Sequence, residues 1–159
     1  MPVERQFILL SGIPGSGKTS LGNYLSKEHG VYFFETDSNW TEFIRELGLG
    51  VDDFVARWLS KHDHVCLEWG FKTCCLPYVR SFKKQGANIF WLTCDKDIAR
   101  SNYLKAHPND PEGVLWYNQV KDIKNAGLPT SDFVIIETYP DGNPIPFGEL
   151  TPKILSKGK

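Results

Sequence analysis

The sequence predicts an α/β protein in which one parallel β-sheet carries helices on both faces. Short apolar runs alternate with stretches of helical periodicity along the whole chain, which is typical of parallel strands joined by crossover helices. The run at residues 87–94 is apolar almost throughout, as a parallel strand buried on both faces should be. A glycine-rich loop stands between the first apolar run and the first helical pattern, and this strand–loop–helix order is typical of a phosphate-binding loop.

Five strands are predicted, at residues 7–10, 31–34, 64–69, 87–94 and 133–136. Helical patterns fill the intervals, with Gly30 as the stop of the first helix and Asp95 as the cap of the helix after the fourth strand. Helices are also predicted over 73–84 and from Asp110-Pro111 to Gly127, with a short one from Phe147. No linker, repeat or low-complexity segment interrupts the pattern, so residues 1–159 are predicted to form a single domain.

Composition and charge indicate which binding partners and which cell compartment to expect. The formal net charge is −1, so no global basic field exists to attract nucleic acid. The four cysteines lack the spacing of a zinc site or a disulfide framework, which predicts reduced thiols in a reducing compartment. No apolar run approaches the ~18 residues of a membrane span, and the N-terminus lacks a signal-peptide core. We therefore expect a soluble, cytoplasmic protein.

The segment from Gly12 to Thr19 fits G-x-x-x-x-G-K-[ST] at every fixed position. Its glycines allow a tight turn whose backbone N–H groups converge on a phosphate, and the positive end of the following helix points to the same place. In this motif Lys18 reaches the β- and γ-phosphates and the Thr19 hydroxyl binds Mg²⁺. The residues predicted to contact a nucleotide are Gly12, Pro14, Gly15, Ser16, Gly17, Lys18, Thr19 and Ser20.

Carboxylates follow two of the predicted strands, at the edge where ligands of open parallel sheets bind. Asp37 lies 19 positions after Lys18, one helix plus one strand away, which returns it to the phosphate site. We interpret Asp37 as a base for an attacking hydroxyl or a holder of Mg²⁺ through water, with helix capping as the alternative. Glu35 points to the same face and either helps to organise Mg²⁺ or ends the strand in solvent.

Glu68 ends the third strand, where a Walker-B carboxylate would lie, although Asp is usual there. It is interpreted as a contact to metal-bound water or substrate, with a simple ion pair as the alternative. Three aromatic residues near these acids are candidates for the wall of an acceptor site, or else for the core. They are Trp40, Trp69 and Phe71.

The helix after the fourth strand carries two cations, Arg100 and Lys105, and has the character of a lid. Cations on a mobile flap stabilise the charge that develops during phosphoryl transfer while the flap excludes water. Because the two residues are five apart, they point in different directions on one helix. The alternative is a surface helix with ordinary exposed bases.

On these features the chain resembles the small P-loop kinases of the nucleoside-monophosphate-kinase-like group. The loop spelling Gly-Ile-Pro-Gly-Ser-Gly-Lys-Thr and the acid at Asp37 resemble the polynucleotide 5′-hydroxyl kinase, zeta-toxin and chloramphenicol-phosphotransferase branch. The resemblance implies a three-layer P-loop NTPase fold with sheet order 2-3-1-4-5, ATP and Mg²⁺ as cofactors, Asp37 as the general base and Arg100 as a lid residue. Two positions depart from that branch, because Lys105 and Trp40 stand where arginines would be expected.

The run Phe34-Glu-Thr-Asp37 also resembles shikimate kinase, whose second strand ends in two acids spaced by one residue. That family's glycine triplet after the third strand is absent here, where the chain has Glu68-Trp-Gly-Phe71. The chain is therefore not interpreted as a shikimate kinase.

The sequence thus predicts a kinase that transfers the γ-phosphoryl group of ATP to a hydroxyl, with Lys18, Asp37 and Arg100 as catalytic residues. The acceptor is left open between a small molecule, a nucleoside and a polynucleotide 5′ end. The alternatives are a nucleotide-dependent hydrolase or switch and a protein that binds nucleotide without turnover. A GTPase would carry Asn/Thr-Lys-x-Asp after the fourth strand, and this chain has Thr93-Cys-Asp-Lys96.

Overall fold

A computed structural model of the protein describes residues 4–126 and 133–155, with only the backbone described for residues 124–126. One sheet contains five strands in the order β2-β3-β1-β4-β5, and all neighbouring strands are parallel. This confirms the fold class and the strand order expected from the resemblance. The strands are β1 Gln6–Gly12, β2 Tyr32–Glu35, β3 His64–Glu68, β4 Asn88–Thr93 and β5 Val134–Glu137.

Seven helices are described around the sheet. They are α1 Lys18–His29, α2 Trp40–Gly48, α3 Val51–Lys61, α4 Leu76–Lys84, α5 Lys96–Ala106, α6 Val114–Ala126 and α7 Phe147–Ile154. None of these helices has both the length and the apolar character needed to cross a membrane.

Several predicted helix ends are set by the expected residues. Gly30 ends α1 in the left-handed conformation, and the Asp95 carboxylate accepts hydrogen bonds from the first N–H groups of α5. Two helix starts are later than predicted. A 3₁₀ turn, Thr73–Cys75, precedes α4, and α6 begins at Val114 because the Asp110 carboxylate caps that residue across a turn. The predicted end of α6 at Gly127 lies outside the described residues.

Alternate residues of β1 enter two different cores. Phe7 and Leu9 pack with the residues of α2, α3 and α4, a cluster rich in aromatic rings. Ile8 and Leu10 face the opposite side and pack with α1 and α7. This period-two alternation places β1 at the centre of the sheet, covered on both faces. The carboxyl ends of β1, β2 and β3 therefore meet at one edge, where Glu35 of β2 lies in register with Glu68 of β3.

Candidate active site

The phosphate loop joins β1 to α1 and needs glycine for a steric reason. Gly15 has φ +87°, and a Cβ atom there would lie 1.9 Å from the carbonyl oxygen of Ala99 in α5. A side chain at this position would force α5 away from the loop. The loop leads into the first turn of α1, whose first N–H groups have no partner within the helix and can bind an anion.

Lys18 is buried and is held by the loop itself. Its Nζ donates to the carbonyl oxygens of Gly12 at 2.9 Å and Ile13 at 3.0 Å. Burial lowers the pKa of Lys18, and the carboxylates of Glu68 and Asp37 oppose that effect. The ammonium group therefore lies beside the loop with two carboxylates close enough to act on its charge.

Glu68 contacts the residue predicted to bind metal. The Thr19 hydroxyl donates to Glu68 Oε2 at 3.3 Å, and Glu68 is only 4% exposed. Burial raises the pKa of Glu68 to about 7; Lys18 opposes the rise, whereas Asp37 and Glu35 reinforce it. A buried carboxylate with further acids near it is a place where a cation is stabilised.

The donor set fits a magnesium ion that binds together with nucleotide phosphates. Mg²⁺ prefers oxygen ligands and is usually held by one or two protein groups plus phosphates, rather than by a complete protein cage. Thr19 and Glu68 supply such oxygens, and the carboxylates of Glu35 and Asp37 lie close enough for their charges to act on Glu68. No group of three or more His, Cys, Asp or Glu residues in the described part of the chain forms a cage of its own.

Asp37 lies where the sequence predicted it, at the mouth of the phosphate loop. It follows β2, begins a 3₁₀ turn, and lines a cavity of about 280 Å³ together with Lys18, Thr19 and Glu68. The cap position of α2 is Asn39 rather than Asp37, and no side-chain capping hydrogen bond forms there. The capping alternative therefore does not account for Asp37, and its carboxylate is exposed towards the cavity.

Two of the three aromatic residues proposed for an acceptor wall lie in the core instead. Trp69 and Phe71 are 3% and 1% exposed, and the Trp69 ring contacts Phe43 of α2 with ring centroids 5.0 Å apart. The Phe71 ring packs against Trp91 of β4 and against Phe133, so neither ring has a free face for a ligand. That expectation is wrong for both residues. Trp40, three residues after Asp37, remains exposed at the surface.

Of the two cations predicted for the lid, Lys105 lies beside the phosphate loop and Arg100 does not. Lys105 lines a cavity of about 320 Å³ together with Gly15, Lys18 and Thr19. Arg100 is not among the side chains that line it, and its guanidinium donates to the Glu112 carbonyl oxygen at 3.4 Å. Helix α5 continues to Ala106, so residues five apart project in different directions, and of the two only Lys105 lines this cavity.

Several residues that hold the phosphate loop in place belong to no recognisable sequence motif. Asn102 Nδ2 donates to the Gly15 carbonyl oxygen at 3.1 Å, and Trp116 Nε1 donates to that of Pro14 at 2.9 Å. The Thr138 hydroxyl donates to the Ser16 carbonyl oxygen at 2.9 Å. These side chains come from α5, α6 and the segment after β5, so only the tertiary structure brings them to the loop.

His107 and Tyr103 were also missed, and both line the two cavities beside Lys18. Their rings stack with centroids 4.1 Å apart. The one signal that could have found them is their position at the end of the predicted lid helix, since the end of a lid is the part that approaches a ligand.

A third cavity, of about 440 Å³, adjoins the loop on the side of the chain after β5. It is lined by Ser16, Gly17 and Ser20 and by the apolar run from Pro144 to Phe147. Ser16 Oγ is buried and has no hydrogen-bond partner in the structure. An apolar cleft next to a phosphate loop suits the nucleoside part of a nucleotide.

No protein-family model and no curated protein matches this sequence. Solved structures are nevertheless similar over almost the whole chain. A sugar kinase from Janibacter sp. HTCC2649 has a TM-score of 0.65 at 14% identity, covering 94% of this chain and 91% of its own. A gluconokinase from Sinorhizobium meliloti 1021 has a TM-score of 0.58 at 16% identity, covering 96% and 90%.

A shikimate kinase from Acinetobacter baumannii, solved in complex with shikimate, has a TM-score of 0.59 at 19% identity, covering 95% of this chain and 91% of its own. At identities this low, similarity of structure establishes the fold and not the activity. The chain therefore has the fold of the small P-loop kinases.

Proposed function

We propose that the protein is an ATP- and Mg²⁺-dependent kinase that transfers the γ-phosphoryl group to a hydroxyl of a small molecule or nucleoside. The observation that carries the proposal is that Lys18, Thr19, Asp37 and Glu68 all line one and the same cavity. A phosphate cradle, oxygen ligands for a metal and a base for the acceptor are the parts that phosphoryl transfer requires. The kinases of the same fold, which include a gluconokinase and a shikimate kinase, support this reaction class.

Each group has a distinct role in the proposed reaction. The loop amides and Lys18 hold the β- and γ-phosphates, while Thr19 and Glu68 would hold Mg²⁺, with Glu35 reinforcing the negative potential. When bound, the metal neutralises charge on the phosphate oxygens. Asp37 accepts the proton of the acceptor hydroxyl as its oxygen bonds to the γ-phosphorus. The bond from that phosphorus to the bridging oxygen breaks, and ADP leaves with the electron pair.

The end of α5 is proposed as the lid. Lys105 would balance charge on the transferring phosphate, and the stacked rings of Tyr103 and His107 would cover the cavity and limit the entry of water. This assigns to Lys105 the role that the sequence had suggested for Arg100.

The branch of P-loop kinases to which the protein belongs and its place in the cell are proposed on sequence features. The loop spelling and Asp37 favour the polynucleotide-kinase, zeta-toxin and chloramphenicol-phosphotransferase branch, whereas the net charge of −1 does not favour a polynucleotide as acceptor. We place the protein in the cytoplasm, where ATP is abundant and its four free cysteines stay reduced.

The decisive variant is Asp37→Asn, which keeps the shape of the side chain and removes the base. With γ-labelled ATP and a small-molecule cell extract, we expect phosphoryl transfer to fall by about 10²–10⁴-fold. Nucleotide affinity, measured by calorimetry, should stay within about twofold because Asp37 is not part of the phosphate loop. The matched control is Asp53→Asn, an exposed carboxylate on α3. Unchanged transfer in Asp37→Asn would remove this residue from the mechanism.

A further inference from the structure

The cavity in front of Asp37 is the side of the site that would receive the acceptor. Away from the phosphate loop it is lined by Asp37, Glu68, Gly70, Tyr103, His107, Leu115 and Gln119. We call this the acceptor cavity. At about 280 Å³ it has room for a small molecule beside a terminal phosphate.

Its charges are mainly negative. The carboxylates of Asp37 and Glu68 line it, and Glu35 is the register partner of Glu68 on the neighbouring strand β2. Lys18 is the one lysine among the described side chains that line it, and no arginine does; the Lys18 ammonium is bonded to the carbonyl oxygens of the loop. Lys105 lines the neighbouring cavity instead.

The imidazole of His107 is held by contacts within the lid. Its Nδ1 lies 3.0 Å from the Tyr103 carbonyl oxygen, and its ring stacks on the Tyr103 ring. The Tyr103 hydroxyl in turn donates to the carboxylate of Asp110 at 2.9 Å. The imidazole is therefore engaged within the lid, next to a further acid.

The remaining lining groups suit hydroxyls and apolar surface. Gln119 Nε2 donates to the Gly70 carbonyl oxygen at 2.9 Å, which leaves the side-chain oxygen free to accept a hydrogen bond. The carboxylate of Asp37 also accepts hydrogen bonds only, so both groups pair with O–H or N–H donors. Leu115, which is 67% exposed, adds an apolar wall.

An anionic acceptor would meet the wrong partners here. Proteins that bind carboxylates or phosphates usually present arginine in a bidentate arrangement or a lysine, and like charges placed together without one are strongly unfavourable. From this geometry we infer that the acceptor is a hydroxyl compound that carries no carboxylate or phosphate group. The inference rests on the proposed kinase activity and narrows its substrate class.

A charge-sorted extract tests the inference. A small-molecule cell extract is passed over an anion exchanger at neutral pH, which separates neutral and cationic compounds in the flow-through from anionic compounds in the bound fraction. Each fraction is incubated with the full chain, Mg²⁺ and γ-labelled ATP, with Asp37→Asn run in parallel to subtract contaminating kinases. A synthetic oligonucleotide with a 5′-hydroxyl forms a third arm. Labelled products are separated from ATP and inorganic phosphate.

We expect at least about tenfold more labelled product from the flow-through than from either anionic arm. Label that appears mainly in the anionic fraction or on the oligonucleotide would overturn the inference while leaving the kinase activity intact. Label that stays in ATP or appears only as inorganic phosphate in every arm would overturn the proposed kinase function, and the inference would fall with it.

Discussion

At the scale of single residues, Gly15 is required by two separate constraints. Its φ of +87° is unfavourable for other residues, and an added Cβ would meet the backbone of Ala99. Gly30 has a φ of +66° but open space around its Cβ position, so it isolates the first constraint. The difference in stability loss between substitutions at Gly15 and at Gly30 therefore measures the effect of the close approach of α5 to the loop.

We expect Gly30→Ala to lower the free energy of unfolding by about 1–2 kcal/mol, the cost of the left-handed backbone alone. Gly15→Ala should cost clearly more, because the clash involves backbone atoms that cannot rotate away, and it should also weaken ATP binding. Urea denaturation and calorimetry would measure the two effects. Equal losses in the two variants would show that α5 does not press on the loop.

Glu68 gives the site a pH dependence that can be measured without ligand. Its pKa is raised to about 7 by burial, from an ordinary value of 4.5. Between these pH values the folded protein holds a proton that the unfolded chain has lost, so the free energy of unfolding falls as pH rises through this window. The stabilising contribution is complete below pH 4.5 and is lost above 7.

Glu68→Gln should remove this dependence. In metal-free buffer with EDTA, we expect the stability of the variant relative to the wild type to increase by about 3 kcal/mol between pH 4.5 and pH 8. Urea denaturation at a series of pH values measures the difference, with the exposed Glu149→Gln as control. A relative stability that does not change with pH would mean that Glu68 is not effectively desolvated.

At the scale of elements, α5 and α6 act together as supports of the phosphate loop. Asn102 of α5 bonds the Gly15 carbonyl oxygen, and Trp116 of α6 bonds that of Pro14. Gln119, one turn after Trp116, bonds the Gly70 carbonyl oxygen beyond β3. The loop is therefore fixed by two helices that come much later in the chain. Asn102 follows Gly15 by 87 residues, and Trp116 follows Pro14 by 102.

The orientation of α5 decides which of its two cations, Arg100 or Lys105, lines the cavity beside the phosphate loop. We expect Lys105→Ala to lower kcat by roughly 10–100-fold, somewhat less than the loss of a buried oxyanion donor because Lys105 is exposed. Arg100→Ala should stay within about twofold of the wild type, since its guanidinium contacts the Glu112 carbonyl oxygen. Steady-state kinetics with γ-labelled ATP measures both. A larger loss for Arg100→Ala would mean that α5 rotates during turnover.

At the scale of the whole molecule, the central strand connects the core to the site. β1 is buried on both faces and ends at the phosphate loop, so an occupied loop should stabilise the entire fold. At a concentration of ATP with Mg²⁺ about 100 times the dissociation constant, linkage adds about 2.7 kcal/mol to the free energy of unfolding. For a chain of this size the Tm should rise by about 5–10 °C.

Lys18→Met preserves the volume of the side chain and removes the charge, so most of this rise in Tm should disappear. Lys27→Met, on the exposed side of the same helix, is the matched control and should retain it. Differential scanning fluorimetry is sufficient to measure both. An undiminished rise in Lys18→Met would show that the nucleotide binds elsewhere.

The features that could be predicted from the sequence depend on neighbours along the chain. The strand–loop–helix order around Lys18 is a local pattern, and Asp37 follows from the length of one helix and one strand. Glu68 follows from its place at the end of an apolar run, as the carboxyl ends of parallel strands share one edge. The strand order came from family resemblance, because alternation of strands and helices does not specify which strands are neighbours.

The features that only the tertiary structure decided depend on how elements face one another. Trp69 lies in the core because Phe43 of α2 packs against it, and Phe71 because Trp91 of β4 and Phe133 do. Hydropathy cannot distinguish a covered aromatic ring from one that lines a cleft. Which of Lys105 and Arg100 lines the cavity beside the loop depends on the rotation of α5 about its own axis, and Ala99 of this helix lies against Gly15 of the loop. The phosphate cradle was thus determined by local sequence, whereas the walls and the charge of the space in front of it arise from packing between distant segments.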